Sequence, residues 1–228
     1  LPRKLSVTEV ELLRRDPYSI YAKHVLKLEY LEKIGYQIGS RERGNIFHLI
    51  LSRFSENWPA ILPEDALNKF LTIGAEVLAL YHYQLCLEPF WDVRLRETGR
   101  WYLRWEELRR QKFTAPLAVE RRGAFLIQLP RGGDFTLSGQ IDRIEFVENG
   151  KFNIVDFKTG KVPSQLQVRA GFSPQLTLEA AMLKRNAFNG LFGIRTHGLI
   201  YVKIGGKEGG EEKPIRDLKE PFDYDEIV

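Results

Sequence analysis

Asn153-Ile154-Val155-Asp156-Phe157-Lys158-Thr159-Gly160 is an apolar run that closes on an acid, an aromatic and an amine before a turn. Read as a strand, it alternates side chains between two faces, so Asp156 and Lys158 share one face and Phe157 takes the other. An acid and an amine at the end of a buried strand are costly to desolvate without a compensating partner. A divalent cation is such a partner: Asp156 ligates it and Lys158 holds a water or phosphate oxygen beside it.

The preceding stretch, Phe135 to Val147, reads as a long strand, and Glu148-Asn149-Gly150 turns it back into the Asp156 strand. Asn-Gly between two strand patterns is a hairpin signal. A two-residue loop sets Asp142 opposite Phe157. A three-residue loop, with Gly150 in the left-handed bulge position, sets Phe146 against Phe152, Ile144 against Ile154 and Asp142 against Asp156. The second register gathers the apolar pairs on one face, which a one-residue slip destroys, and is the one expected. It places two carboxylates and Lys158 at one end of one sheet face. Facing carboxylates repel unless a positive charge lies between them. Spacing alone leaves two readings: a cation site, or two solvated acids near a sheet end.

Gly139-Gln140-Ile141-Asp142-Arg143 followed by Val155-Asp156-Phe157-Lys158-Thr159-Gly160 resembles the PD-(D/E)xK nuclease superfamily in its RecB-like branch. That branch also carries Gly-x-x-x-His upstream and a glutamine-bearing helix downstream. Gly44-Asn45-Ile46-Phe47-His48 and Pro174-Gln175-Leu176-Thr177-Leu178-Glu179-Ala180-Ala181 stand in those places. Ser6-Val7-Thr8-Glu9-Val10-Glu11 and Asp16-Pro17-Tyr18-Ser19-Ile20-Tyr21-Ala22 are similar to the opening of the C-terminal nuclease domain of AddB, a double-strand break repair helicase–nuclease subunit.

The resemblance implies an α/β (α+β), restriction-endonuclease-like fold: a central mixed sheet flanked by helices, with a helical N-terminal half. One nuclease domain is expected over 1–204, mainly helical over 1–112 and holding the sheet and site over 113–204. A polar, partly mobile tail is expected over 205–228. By the same resemblance His48, Asp142, Asp156 and the main-chain carbonyl of Phe157 hold Mg²⁺, for which Mn²⁺ can substitute. Lys158 and Gln175 complete the catalytic set with the two aspartates, and Arg41, Arg43, Gly44, Thr159 and Gln175 touch DNA. The implied activity is that of a Mg-dependent deoxyribonuclease of exonuclease type. It would act on a single strand drawn from a broken duplex end, beside an AddA-like helicase–nuclease subunit, in the bacterial cytoplasm and on the nucleoid during repair. A stand-alone exonuclease, a structure-specific endonuclease and an inactive fold that only binds DNA are the alternatives. The family often has tyrosine one turn after the glutamine; Glu179 stands there instead.

Composition agrees with such a domain. The 228 residues are 43% hydrophobic and 12% aromatic, enough for a substantial core. A net charge of +4 permits a nucleic-acid partner without demanding one. The one cysteine, Cys86, excludes an internal disulfide and the four-cysteine iron–sulfur cluster of some related nucleases. It falls in an apolar helical stretch, where core packing is expected. No apolar run reaches the ~20 residues of a membrane helix, no signal peptide is apparent, and no P-loop is present for ATP. The start at Leu1, without methionine, is expected of a fragment of something larger.

Along the chain, Ser6 and Glu9 form a capping box for a helix to about Arg15, and Asp16-Pro17 starts a second. Residues 32–43 read as a polar connection. Helices are expected from Gly44 to about Trp58, over about 64–86 and from Pro89 to about Lys112. The last mixes Arg94, Arg96, Arg100, Arg104, Arg109 and Arg110 with Trp91, Trp101, Tyr102 and Trp105. Such a helix either holds phosphates and stacks bases or buries its aromatics in a core. Pro116–Glu120 and Ala124–Leu129 read as two strands, and Glu120 either stands behind the site or is an exposed acid. A helix over 172–184 crosses the sheet, and Leu199–Val202 is the last strand, beside the Asp156 strand.

Overall fold

A computed structural model describes residues 2–29, 39–81, 91–112, 118–130, 132–147, 151–192, 195–206 and 208–215. The Glu148–Gly150 turn, Cys86 and everything after Ile215 lie outside the described residues.

The chain begins with a short strand, β1 (Lys4–Ser6), that runs straight into helix α1 (Val7–Arg15). The capping box makes the switch: Ser6 Oγ accepts the Glu9 N–H at 3.1 Å, and Glu9 Oε2 accepts the Ser6 N–H at 2.9 Å. Asp16 then caps α2 (Pro17–His24) through the Ser19 N–H at 3.3 Å. Helix α3 spans Ser40–Asn57, α4 Ala66–Leu80 and α5 Trp91–Lys112. Helix α3 starts before Gly44 because Glu42 Oε2 accepts the Gly39 N–H at 3.0 Å, closing the first turn there. Arg41 and Arg43 are therefore helical residues.

The second half is a six-stranded mixed sheet with β2 (Ala118–Gln128), β3 (Asp134–Phe146) and β4 (Lys151–Lys158) first. Helices α6 (Gln165–Arg169) and α7 (Gln175–Lys184) follow, then β5 (Arg195–Ile204) and β6 (Gly210–Pro214). Strand β3 is the spine. Along one edge β2 pairs antiparallel, from Gln128↔Asp134 to Ala118↔Ile144. The other edge is shared: β1 pairs parallel with Thr136–Ser138, and β4 pairs antiparallel with Arg143–Phe146. Residues 139–142 lie between those partners, and the edge opens there. The β3–β4 register is Phe146↔Phe152, Ile144↔Ile154 and Arg143↔Val155, the one the apolar pairing selects. Strand β5 lies parallel to β4, and β6 antiparallel to β5.

Three features differ from the sequence reading. The two strands expected over 116–129 are one strand, β2, which passes through Glu120 with that residue in a left-handed conformation, φ 50. The three-residue β1 was hidden by the capping box that overlaps it. Residues 210–215 are not part of a mobile tail: β6 closes the sheet and Ile215 is buried at 7% exposure. The glycines permit this, since a Cβ on Gly210 would fall 2.5 Å from the Trp101 ring.

Two apolar clusters cover the two faces. Ile46, Phe47, Ile50, Phe54, Phe70, Tyr102 and Trp105 of α3–α5 pack on Val155, Phe157 and Val202. Val7 of α1 and Leu176, Ala180 and Leu183 of α7 pack on Ile144, Ile154 and Tyr201. The aromatics of α5 thus serve the core. The same helix buries charge. Arg143, 1% exposed, pairs with Glu106 and, at 2.9 Å, with Glu145. Arg109 pairs with Glu145 and, at 3.1 Å, with Glu212 on β6. Trp105 Nε1 also donates to Glu212, at 2.6 Å.

Arg143→Met strands two buried carboxylates without their cation. Urea unfolding is expected to show a loss of about 3–5 kcal/mol, the usual result of breaking a buried pair from one side.

Candidate active site

The site forms where the edge of β3 is left open. Past Arg143↔Val155 the β3–β4 ladder ends, and the Phe157 N–H donates instead to Asp142 Oδ2 at 2.9 Å. A carboxylate thus stands where a main-chain carbonyl would stand in a longer ladder. The same oxygen lies 3.3 Å from His48 Nδ1 on α3. The His48 ring meets Phe157 edge-on, centroids 6.5 Å apart. Helix α3 approaches the end of β4 closely, since a Cβ on Gly44 would lie 3.2 Å from Thr159 Oγ1. Gly44 thus makes room for β4 itself.

Behind Asp142 a second group is drawn together by α7. Asp156 is 2% exposed. Its Oδ1 accepts from Gln175 Nε2 at 2.6 Å and from Lys158 Nζ at 2.9 Å. Its Oδ2 lies 2.7 Å from Lys158 Nζ but makes no directed hydrogen bond. Lys158 Nζ also donates to Gln175 Oε1 at 2.8 Å, and Gln175 Nε2 to Glu179 Oε1 at 3.2 Å. Tyr201, level with Asp156 on β5, lies under the Lys158 ammonium at 5.8 Å from its ring centroid.

Charge crowding shows in the proton affinities. Burial works to lower His48, but the Asp142 and Asp156 carboxylates outweigh it and push the imidazole up to about 9. Burial, then Asp142, pushes Asp156 up to about 6 against the pull of Lys158. Burial and the same two aspartates hold Glu179 well above the usual carboxylate range. Lys158 is raised: burial opposes its charge and Asp156 more than restores it.

The expected site residues fall into three places. His48 and Asp142 meet, joined by Glu120 of β2: one ligand atom from each lies within 4.8 Å of the others. Asp156, expected beside them as a ligand, stands outside that trio because Lys158 and Gln175 claim it. Phe157 meets Asp142 through its N–H. Arg43 and Thr159 line a cleft of about 660 Å³ with Phe47, Arg94, Thr98 and Gly205. Arg41 is turned away, into a cavity with Lys23, His24 and Lys27. Glu120 was left undecided by the sequence, because its relation to Asp142 depends on the β2–β3 register. Nothing in the sequence pointed to Tyr201.

Residues 4–226 match the PD-(D/E)XK nuclease superfamily. The chain belongs to that superfamily. A Rickettsia bellii protein described as uncharacterized is 30% identical over 188 residues, 82% of this chain and 22% of that protein. A Rickettsia felis protein described in the same way is 30% identical over 208 residues, 90% of this chain and 24% of its own. A Streptococcus pyogenes protein described as one subunit of an ATP-dependent helicase/deoxyribonuclease is 27% identical over 208 residues, 85% of this chain and 18% of that protein. The chain spans about a fifth of the length of these relatives. Among the described residues no helix is long and apolar enough to cross a membrane.

Without divalent metal, the protein binds protons at His48 more tightly folded than unfolded. That contribution to stability is complete below the unfolded pKa of about 6.5 and is lost as pH rises through about 9. Asp156, also raised, acts in the same direction between about 4 and about 6. Melting temperatures in EDTA should therefore fall across these windows, and added Mg²⁺ should stabilise more at pH 8 than at pH 6. Differential scanning calorimetry at both pH values checks this.

Proposed function

We propose that this chain is a divalent-metal-dependent deoxyribonuclease domain of exonuclease type. We read it as the nuclease module of a longer AddB-like helicase–nuclease that resects broken duplex ends with an AddA-like partner. Its working place is the bacterial cytoplasm, at the nucleoid. The observation that carries the proposal is the meeting of His48, Asp142, Asp156, Lys158 and Gln175, five residues from four elements, at one opening in the sheet.

The donor set fits a hard cation: carboxylate oxygens and one imidazole, crowded enough that protons are drawn to the group in its absence. His48, Asp142, Asp156 and the Phe157 carbonyl are the residues that would hold Mg²⁺. When bound, such an ion polarises the scissile phosphate and lowers the pKa of a water. Asp142 is oriented for this by the Phe157 N–H. Lys158 brings a charge held by Asp156 and Gln175, 28% exposed and so within reach of a phosphate, and offsets the negative charge that grows in the transition state. Gln175 fixes the rotamers of Asp156 and Lys158 together, and α7, anchored in the apolar cluster, fixes Gln175. The cleft holding Arg43, Arg94 and Thr159 opens beside Lys158 and suits the backbone of the strand being cut.

Asp156→Ala and Lys158→Ala are each expected to lower Mg²⁺-dependent cleavage of labelled single-stranded DNA by ~100-fold or more while the circular dichroism spectrum stays that of the unaltered protein. Cleavage by either variant near the unaltered rate sinks the reading.

A further inference from the structure

Asp142 lies on the middle one of three adjacent strands. One step beyond Arg143↔Val155, Asp156 of β4 comes opposite it. On the other side, Val119↔Arg143 and Arg121↔Ile141 flank a rung on which Glu120 of β2 comes opposite the same residue. Glu120, Asp142 and Asp156 thus form one line of carboxylates across three strands, and neighbouring strands are ~4.8 Å apart. Directly opposed like charges destabilise a sheet. Here one aspartate has such a neighbour on each side. Lys158 and Gln175 serve the Asp156 end. The Glu120 end has only His48 for a cation, through Asp142 Oδ2 at 3.3 Å.

The Glu120 end is built with care. Its backbone is left-handed, φ 50, which glycine tolerates and glutamate adopts at a cost. Its Oε2 accepts from Gln140 Nε2, and Gln140 Oε1 accepts in turn from Arg122 Nε at 2.9 Å. One carboxylate oxygen is thereby oriented from the protein side. Ligand atoms of His48, Glu120 and Asp142 lie within 4.8 Å of one another, and Asp156 is not among them. Asp142 therefore belongs to two groups at once.

We infer that the site has two divalent-cation positions, the second lying between Glu120 and Asp142 and closed by His48, with Asp142 shared between both. The inference rests on the nuclease reading and adds to it a ligand, Glu120, and a number of ions. Two carboxylate oxygens and an imidazole suit Mg²⁺ or Mn²⁺. A carboxylate shared by two ions is the arrangement of phosphodiester-cleaving sites that clamp the attacking and leaving oxygens together.

The test is a titration of EDTA-stripped protein with Mn²⁺, read by calorimetry and by the electron paramagnetic resonance of the bound ion. The unaltered chain should bind two Mn²⁺ with a spin-coupled spectrum. Glu120→Gln should bind one, uncoupled, with the affinity of the remaining ion changed no more than a few-fold. Asp156→Asn should likewise keep one. A single ion in the unaltered chain, two in Glu120→Gln, or none in a Glu120→Gln protein with unaltered circular dichroism overturns the second position. If Glu120→Gln fails to fold, His48→Gln probes the same position from α3, with the same expected loss of one ion; retention of both then overturns it. Cleavage of DNA with a single bound ion removes only the second position. A folded chain that neither binds Mn²⁺ nor cleaves DNA removes the nuclease reading itself.

Discussion

The hydrogen bond from the Phe157 N–H to Asp142 Oδ2 is the join on which the site depends. Strand β4 pairs with β3 only as far as Val155, and β1 takes up the same edge only as far as Ser138. A sheet that continued its ladder would bury residues 139–142 in main-chain bonding and leave no opening. By spending a side chain instead of a carbonyl, the protein lets the strands part while the last buried donor is still satisfied. The next residue anchors the arrangement from behind. Arg143 enters the helical layer, stacks 4.9 Å from the Trp105 ring and pairs with Glu106 and Glu145. Chemistry and anchorage are successive residues on opposite sides of one strand.

The second constraint is electrostatic. Four carboxylates, of Glu120, Asp142, Asp156 and Glu179, gather around one ammonium and one imidazole. Such a group is stable only with positive charge close by. In the protein alone Lys158 and a protonated His48 supply it. Gln175 gives further relief: its amide donates to Asp156 and Glu179 and its carbonyl accepts from Lys158. A neutral residue thus mediates among three charged ones. The glutamate at 179, where related sequences often have tyrosine, fits this role because the glutamine already offers it a donor.

Much of this was legible in the sequence, for physical reasons that can be named. The β3–β4 register followed from pairing Phe146 with Phe152 and Ile144 with Ile154, since only that register puts the apolar side chains together. Helix α1 could be placed to the residue because its cap is a local side-chain device. The parts that escaped depend on distant contacts. Strand β6, Gly-Glu-Glu-Lys-Pro, is a polar edge strand with no alternation to read; what holds it is Glu212 beneath Trp105 and Arg109, more than a hundred residues upstream. Strand β2 was divided in two because Arg121, Arg122 and Gly123 resemble a turn, whereas β3 pairs across them. With β2 divided, the alignment of Glu120 with Asp142 could not be seen.

All four tryptophans, Trp58, Trp91, Trp101 and Trp105, lie with the α3–α5 cluster, and none lies in the cluster beneath α1 and α7. The molecule is therefore optically one-sided. Indole emission follows one layer of the sandwich, while Gln175 and its helix belong to the dark one. Trp105, in edge contact with Phe157 at 5.9 Å, is a built-in lamp on the strand that bears Asp156 and Lys158.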